Sequence, residues 1–162
     1  MIEIFNPSMC FSTELKGSWA CNILNESKNK IPIKFIGTEA CLVLEHSGEN
    51  EWFVGCLPVD RKWIGTDISE YNSLMFNLYA DRPCKCHISF SDVDDNESSR
   101  FIINHDESLG PVRNNIDKVG LHRTEIPLTN FTGGDFDITQ TKLVRFLGEN
   151  NNIFYLSKIT LT

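Results

Sequence analysis

Residues 74–79 read Leu-Met-Phe-Asn-Leu-Tyr, so in an extended strand Leu74, Phe76 and Leu78 share one side while Met75, Asn77 and Tyr79 share the other. The first side suits a core and the second suits partial contact with water. The run Cys86-His87-Ile88-Ser89-Phe90-Ser91 repeats the pattern, with Cys86, Ile88 and Phe90 inward and His87, Ser89 and Ser91 outward. Taken as adjacent strands, the two runs are expected to present one polar and aromatic surface. Similar short runs predict strands at residues 2–5, 19–24, 31–35, 40–45, 52–57, 74–80, 86–91, 101–104, 121–127, 143–147 and 153–161. Segments rich in Asn, Asp, Ser or Gly separate many of them, at 25–30, 47–50, 92–100, 110–120 and 149–152. Apolar spacing of three and four residues is nearly absent, and helix is expected only as single turns at 69–73 or 128–131. The expected class is therefore all-β.

Composition narrows this picture. A chain of 162 residues, 41% hydrophobic and 23% charged, is long enough for one well-filled core, and a single domain over 1–162 is expected. The 22 acidic residues outnumber the 15 basic ones, and the basic group Lys28, Lys30 and Lys34 is thinned by Asn and apolar residues, so no nucleic-acid partner is expected. No apolar run is long enough to cross a bilayer, and no membrane partner is expected. Met1 to Met9 carries Glu3 and Pro7 where a signal sequence has a basic and then an apolar run. A complete chain of this kind is expected in the cytoplasm, whereas in a larger parent protein any signal lies outside these residues. Cys10, Cys21, Cys41, Cys56, Cys84 and Cys86 are irregularly spaced and read as free, mostly buried thiols.

The order of segments carries a resemblance. Asp67, Ser69, Tyr71, Leu74 and Phe76 fit the pattern D-hydrophobic-S-x-Y-x-x-L-x-F that opens certain carbohydrate-binding modules. Ile88-Ser89-Phe90-Ser91-Asp92 resembles their next strand, Ile126-Pro127-Leu128-Thr129-Asn130-Phe131 their I-P-L-x-x-F turn, and Ile153-Phe154-Tyr155-Leu156-Ser157-Lys158-Ile159 their closing strand. Over the last two-thirds of its length the chain thus resembles galactose-binding-like jelly rolls, among them β-glucan-binding modules of family eleven and the complex I intermediate-associated family. The resemblance implies a two-sheet antiparallel β-sandwich holding its ligand on a concave face or loop rim. Two positions depart from the pattern: Ser157 and Lys158 replace an acidic residue that often holds a structural calcium, and Leu121 replaces an aromatic. No cofactor is expected.

A saccharide site needs flat apolar rings against the C–H faces of the sugar and polar groups for its hydroxyls. Trp52, Asn77, Tyr79, His87 and Arg145 supply both, and they form the expected ligand-binding set. The competing reading makes Trp52 a core residue and Tyr79 a cap on the sheet edge. Trp63 is expected to plug the end of the sandwich and Trp19 to join the core. The run Asp92–Glu97 opens like a calcium loop, but Glu97 stands where glycine is needed and Ile103 where the closing Glu is needed, so it reads as a solvated acidic loop. Cys84, Cys86 and His87 split between two faces of a strand and do not make a zinc site. Nucleophile-elbow, zincin-helix and phosphate-loop motifs are absent. The expected function is a non-catalytic carbohydrate-binding module with an oligo- or polysaccharide partner, on its own or within a larger parent enzyme. The alternative is a protein-interaction or assembly domain on the same scaffold.

Overall fold

Alternation of apolar and polar positions allows a strand to bury one side only, and in this chain two antiparallel sheets turn their apolar sides toward each other. The computed structural model describes residues 1–5, 19–23, 26–28, 33–36, 38–46, 52–56, 64–80, 84–105, 122–148 and 152–162. The first sheet contains β1 (Ile2–Phe5), β4 (Ile33–Ile36), β5 (Glu39–His46), β7 (Ser73–Tyr79), β10 (His122–Pro127) and β12 (Asn152–Leu161). Its order is β10-β7-β12-β5-β4, with β1 also paired to β12. The second contains β2 (Trp19–Ile23), β3 (Glu26–Lys28), β6 (Trp52–Cys56), β8 (Cys84–Asp92), β9 (Phe101–His105) and β11 (Thr141–Gly148), in the order β3-β2-β6-β11-β8-β9.

Every predicted strand is present, and its bounds differ from those expected by no more than two residues. One strand escapes the pattern: β3 lies inside the segment expected to be a turn, because Glu-Ser-Lys has no apolar alternation and pairs only with β2 at the sheet edge. The helical turn expected at 128–131 is a 3₁₀ turn, Leu128–Phe131, following Pro127 at the end of β10. At 69–73 there is no helix; a tight turn closed by Tyr71 N–H donating to the Ile68 carbonyl leads straight into β7. A second 3₁₀ turn, Ile138–Gln140, had no periodic signal.

Leu74, Phe76 and Leu78 are buried on the inner side of β7, and Leu156 of β12 stands opposite both Leu78 and Leu42. Cys86, Ile88 and Phe90 of β8 and Val144 and Phe146 of β11 are buried on the inner side of the other sheet. Phe76 meets Phe146 edge-to-face at 6.0 Å, so one ring from each sheet ties the sandwich together. Phe131 delivers its ring to Phe90 at 4.9 Å and closes one end.

Two features of this architecture control the surfaces. The first corrects an expectation: β7 and β8 are consecutive in the chain but belong to different sheets, so their outer sides face in opposite directions. Alternation identifies the inner side of a strand and carries no information about which sheet the strand joins. The second is a bulge in β12. Ser157 pairs with Asn77 and Thr160 with Met75, so three steps on β12 match two on β7. Lys158 absorbs the extra residue at φ 51° and is exposed, while Ile159 and Leu161 return to the core.

Replacing Phe76 with Ala is expected to destabilise the fold by about 3–5 kcal/mol, as truncation of a buried aromatic does. Replacing Phe35, which is 55% exposed on edge strand β4, should change stability by less than about 0.5 kcal/mol. Urea unfolding midpoints of the two variants check the contrast.

Candidate functional site

The outer side of the first sheet brings two tyrosines together. Tyr79 and Tyr155 stand directly opposite each other on β7 and β12, with ring centroids 5.5 Å apart and planes at 51°. Tyr79 is half-buried, whereas Tyr155 is only 6% exposed. One step along β7, the Asn77 amide donates to Glu39 Oε1 at 2.9 Å, and Lys158 Nζ lies 3.9 Å from the same oxygen. The Lys34 ammonium sits 5.1 Å from the Tyr155 ring centroid, a cation–π contact. Arg123 stands opposite Asn77 on β10, and its Nη2 reaches the Met75 sulfur at 3.7 Å. A flat ring beside an amide and a carboxylate can cover the face of a sugar and accept its hydroxyl hydrogens.

The expected ligand set is therefore divided. Asn77 and Tyr79 lie on this surface, while His87 and Arg145 lie on the outer side of the second sheet, where Leu147 is opposite His87 and Arg145 is opposite Ser89. The Trp52 backbone is opposite Leu147 in the same row; the Trp52 and Trp19 side chains and all of Trp63 lie outside the described residues. Glu39, Tyr155 and Lys34 were missed. Tyr155 was legible in principle, since the alternation that sends Phe154 and Leu156 inward sends Tyr155 outward beside Tyr79. Glu39 and Lys34 reach the site through pairing distant in sequence, which has no local signature.

Arg145 is committed to an internal network. Its Nη2 lies 2.7 Å from Glu97 Oε2, and its Nε donates to Ser89 Oγ at 3.2 Å. Ser89 Oγ donates to Glu97 Oε1 at 2.9 Å, and Arg100 Nε donates to the same oxygen at 2.7 Å. Burial opposes the charge on Glu97, but the hydrogen bonds from Arg100 and Ser89 and the charge and hydrogen bond of Arg145 outweigh it, and the pKa falls to about 2. Ser89 and Ser91 face outward as expected, yet both are buried. Glu97, hydrogen-bonded to Ser89 and bridged to Ser91, lies against them.

The segment 92–97 is not simply a solvated acidic loop. Asp94 and Asp95 are exposed, but Asp92 is buried and accepts four hydrogen bonds, from the Asp94, Asn96 and Asp137 amides and the Asn96 side chain. Desolvation opposes its ionisation and those four donors reverse the effect, so its pKa is lowered. Its oxygens are thereby occupied by N–H groups. The buried Lys142 pairs with Asp95. A calcium ion does not fit at the closing-strand position either: the Ser157 hydroxyl is buried without a hydrogen-bond partner, Lys158 is next to it, and Glu39 is already shared with Asn77. Of the six cysteine side chains, those of Cys41 and Cys86 are described, and both are buried thiols outside any disulfide.

The two-sheet jelly roll and its outer faces define a known class of architecture. No protein-family model matches the chain, and no curated protein matches it in sequence. Among solved structures, it is similar to the family 30 carbohydrate-binding module of a Clostridium thermocellum cellulosomal cellulase, with TM-score 0.66 and 15% identity over 99% of this chain and 96% of that one. It is similar to the family 11 carbohydrate-binding module from Clostridium thermocellum in complex with a β-1,3-1,4-mixed-linked tetrasaccharide, with TM-score 0.59 and 16% identity over 93% of this chain and 91% of that one. A β-1,2-glucanase from Parabacteroides distasonis matches 98% of this chain with 24% of its own length, at TM-score 0.55 and 12% identity. The fold is the β-sandwich of carbohydrate-binding modules.

The Glu97 network makes a signed prediction about acid. A carboxylate with a lowered folded-state pKa contributes stability that is full above its ordinary value of 4.5 and is lost as pH falls toward about 2. Thermal melts between pH 6 and about 2 should show this loss in the wild type. Replacing Glu97 with Gln should lower stability at pH 6 and flatten the acid limb; an acid limb of unchanged steepness would remove Glu97 from this role.

Proposed function

We propose that this chain is a non-catalytic carbohydrate-binding module, acting as one domain over residues 1–162, in which a saccharide ring lies against Tyr79. Asn77 and Glu39 bond the hydroxyls at the ring's edge, with the carboxylate accepting and the amide acting as both donor and acceptor. The observation that carries this reading is the cross-strand Tyr79–Tyr155 pair with the Asn77–Glu39 hydrogen bond one step away on the same surface. The two partners of that bond hold each other in position before any ligand arrives, which lowers the ordering cost of binding. The likeness in fold to modules of families 30 and 11 supports the same reading.

The opposite surface favours a second reading. Ile102, 47% exposed on edge strand β9, stands opposite His87, and Leu147 follows in the same row. An apolar row of this kind is suited to a protein partner, with His87 at its centre and the Trp52 position at its end. Arg145 supports that surface by holding the segment that contains Glu97.

Isothermal calorimetry against a broad panel of oligosaccharides tests the first reading. The wild type should give heat with at least one glycan, and Tyr79→Ala should weaken that binding about tenfold or more, equal to about 1.4 kcal/mol. Absence of heat with every glycan, or an affinity indifferent to Tyr79→Ala, would overturn it.

A further inference from the structure

We infer that the saccharide bound at the Tyr79 surface is anionic, bearing carboxylate or sulfate groups; this rests on the reading that a glycan lies there. The chain as a whole carries a formal charge of −7, yet the rows around the tyrosine pair hold Lys34, Lys158 and Arg123. Arg123, Asn77 and Ser157 are paired in one row across β10, β7 and β12. Lys34 stands opposite Cys41 at the far side of the same sheet. Arg123 and Lys34 thus bracket the surface about 19 Å apart, four inter-strand steps of roughly 4.8 Å each.

Of these three cations Lys158 is paired with Glu39, which leaves Lys34 and Arg123 as the charges open to a ligand. Glu39 is already shared between Asn77 and Lys158. Glu125 is opposite Met75 and Glu3 is opposite Thr160, one row beyond Asn77, and Glu45 is opposite Ile153, one row beyond Tyr155. Neither Lys34 nor Arg123 has a carboxylate partner among the described residues. Lys34 contributes twice. Its ammonium lies over the Tyr155 ring, where it takes the place a sugar would use, and leaves the half-buried Tyr79 as the more exposed ring of the pair, with a positive charge nearby. A neutral glucan gains nothing from an ammonium in that position. A uronic acid or sulfated residue next to the ring on Tyr79 meets it with a charge-assisted hydrogen bond. The bulge at Lys158, with φ 51°, places its ammonium beside Glu39 and so offsets the carboxylate that lies next to Asn77.

The test compares three probes by calorimetry at low and at moderate salt: tetragalacturonate, a sulfated galactan tetrasaccharide and cellotetraose. One of the two anionic probes should bind at least tenfold more tightly than cellotetraose, and the preference should shrink as salt rises. Which anionic probe binds distinguishes carboxylate from sulfate. Lys34→Gln and Arg123→Gln, both exposed and on edge strands, should each reduce the preference severalfold while circular dichroism stays unchanged. Equal or tighter binding of cellotetraose would overturn the anionic assignment and leave the saccharide reading standing. No binding of any probe, together with silence across the broad glycan panel, would remove both.

Discussion

Two twisted sheets can share one core only if every second side chain of their strands enters the gap between them, and the remaining surfaces of this protein follow from that constraint. Leu74, Phe76 and Leu78 enter from one sheet, and Ile88, Phe90, Val144 and Phe146 from the other. The Phe76–Phe146 contact joins the two layers edge-to-face. Once these residues are fixed, their neighbours in sequence have no freedom: Asn77 and Tyr79 must face one exterior, and His87, Ser89 and Arg145 the opposite one. The separation of the two surfaces is thus a by-product of packing.

Much of the architecture could be read directly from residue order, because a half-buried strand advertises itself every second position. Leu74–Tyr79 and Cys86–Ser91 are the clearest cases, and their inner and outer sides are as alternation assigns them. What could not be read is the partner of each strand. β7 ends at Tyr79 in one sheet and β8 begins at Cys84 in the other, and the short sequence between them carries no signal that distinguishes a change of sheet from a hairpin. For that reason three of the five expected ligand residues occupy strands of the other sheet. Tyr155 was open to the same alternation argument, whereas Glu39 and Lys34 depend on β5 finding β12 across more than a hundred residues. The short strand β3 had no pattern to find.

Charge was harder to interpret than apolarity. Asp92, Asp94, Asp95 and Glu97 look alike in sequence, yet Asp94 and Asp95 meet solvent while Asp92 and Glu97 act as internal struts. The difference is made by donors from elsewhere in the chain: the Asp137 amide for Asp92, and Arg145 for Glu97. An acidic count therefore overstates the negative charge available to a partner at this end of the sandwich. The reverse holds on the tyrosine surface, where Lys34 and Arg123 have no carboxylate partner among the described residues of an acidic protein.

The position of β12 has a consequence for how the molecule is made. This strand follows all the others in chain order but lies in the middle of the first sheet, between β7 and β5, and it also holds β1. During synthesis, β5 and β7 must wait without their central neighbour until the ribosome has delivered residues 152–161. The second sheet has no such delay once β11 has emerged. Nascent chains halted before β12 would expose the unpaired backbone of β7 and β5, the state most open to pairing with a foreign strand.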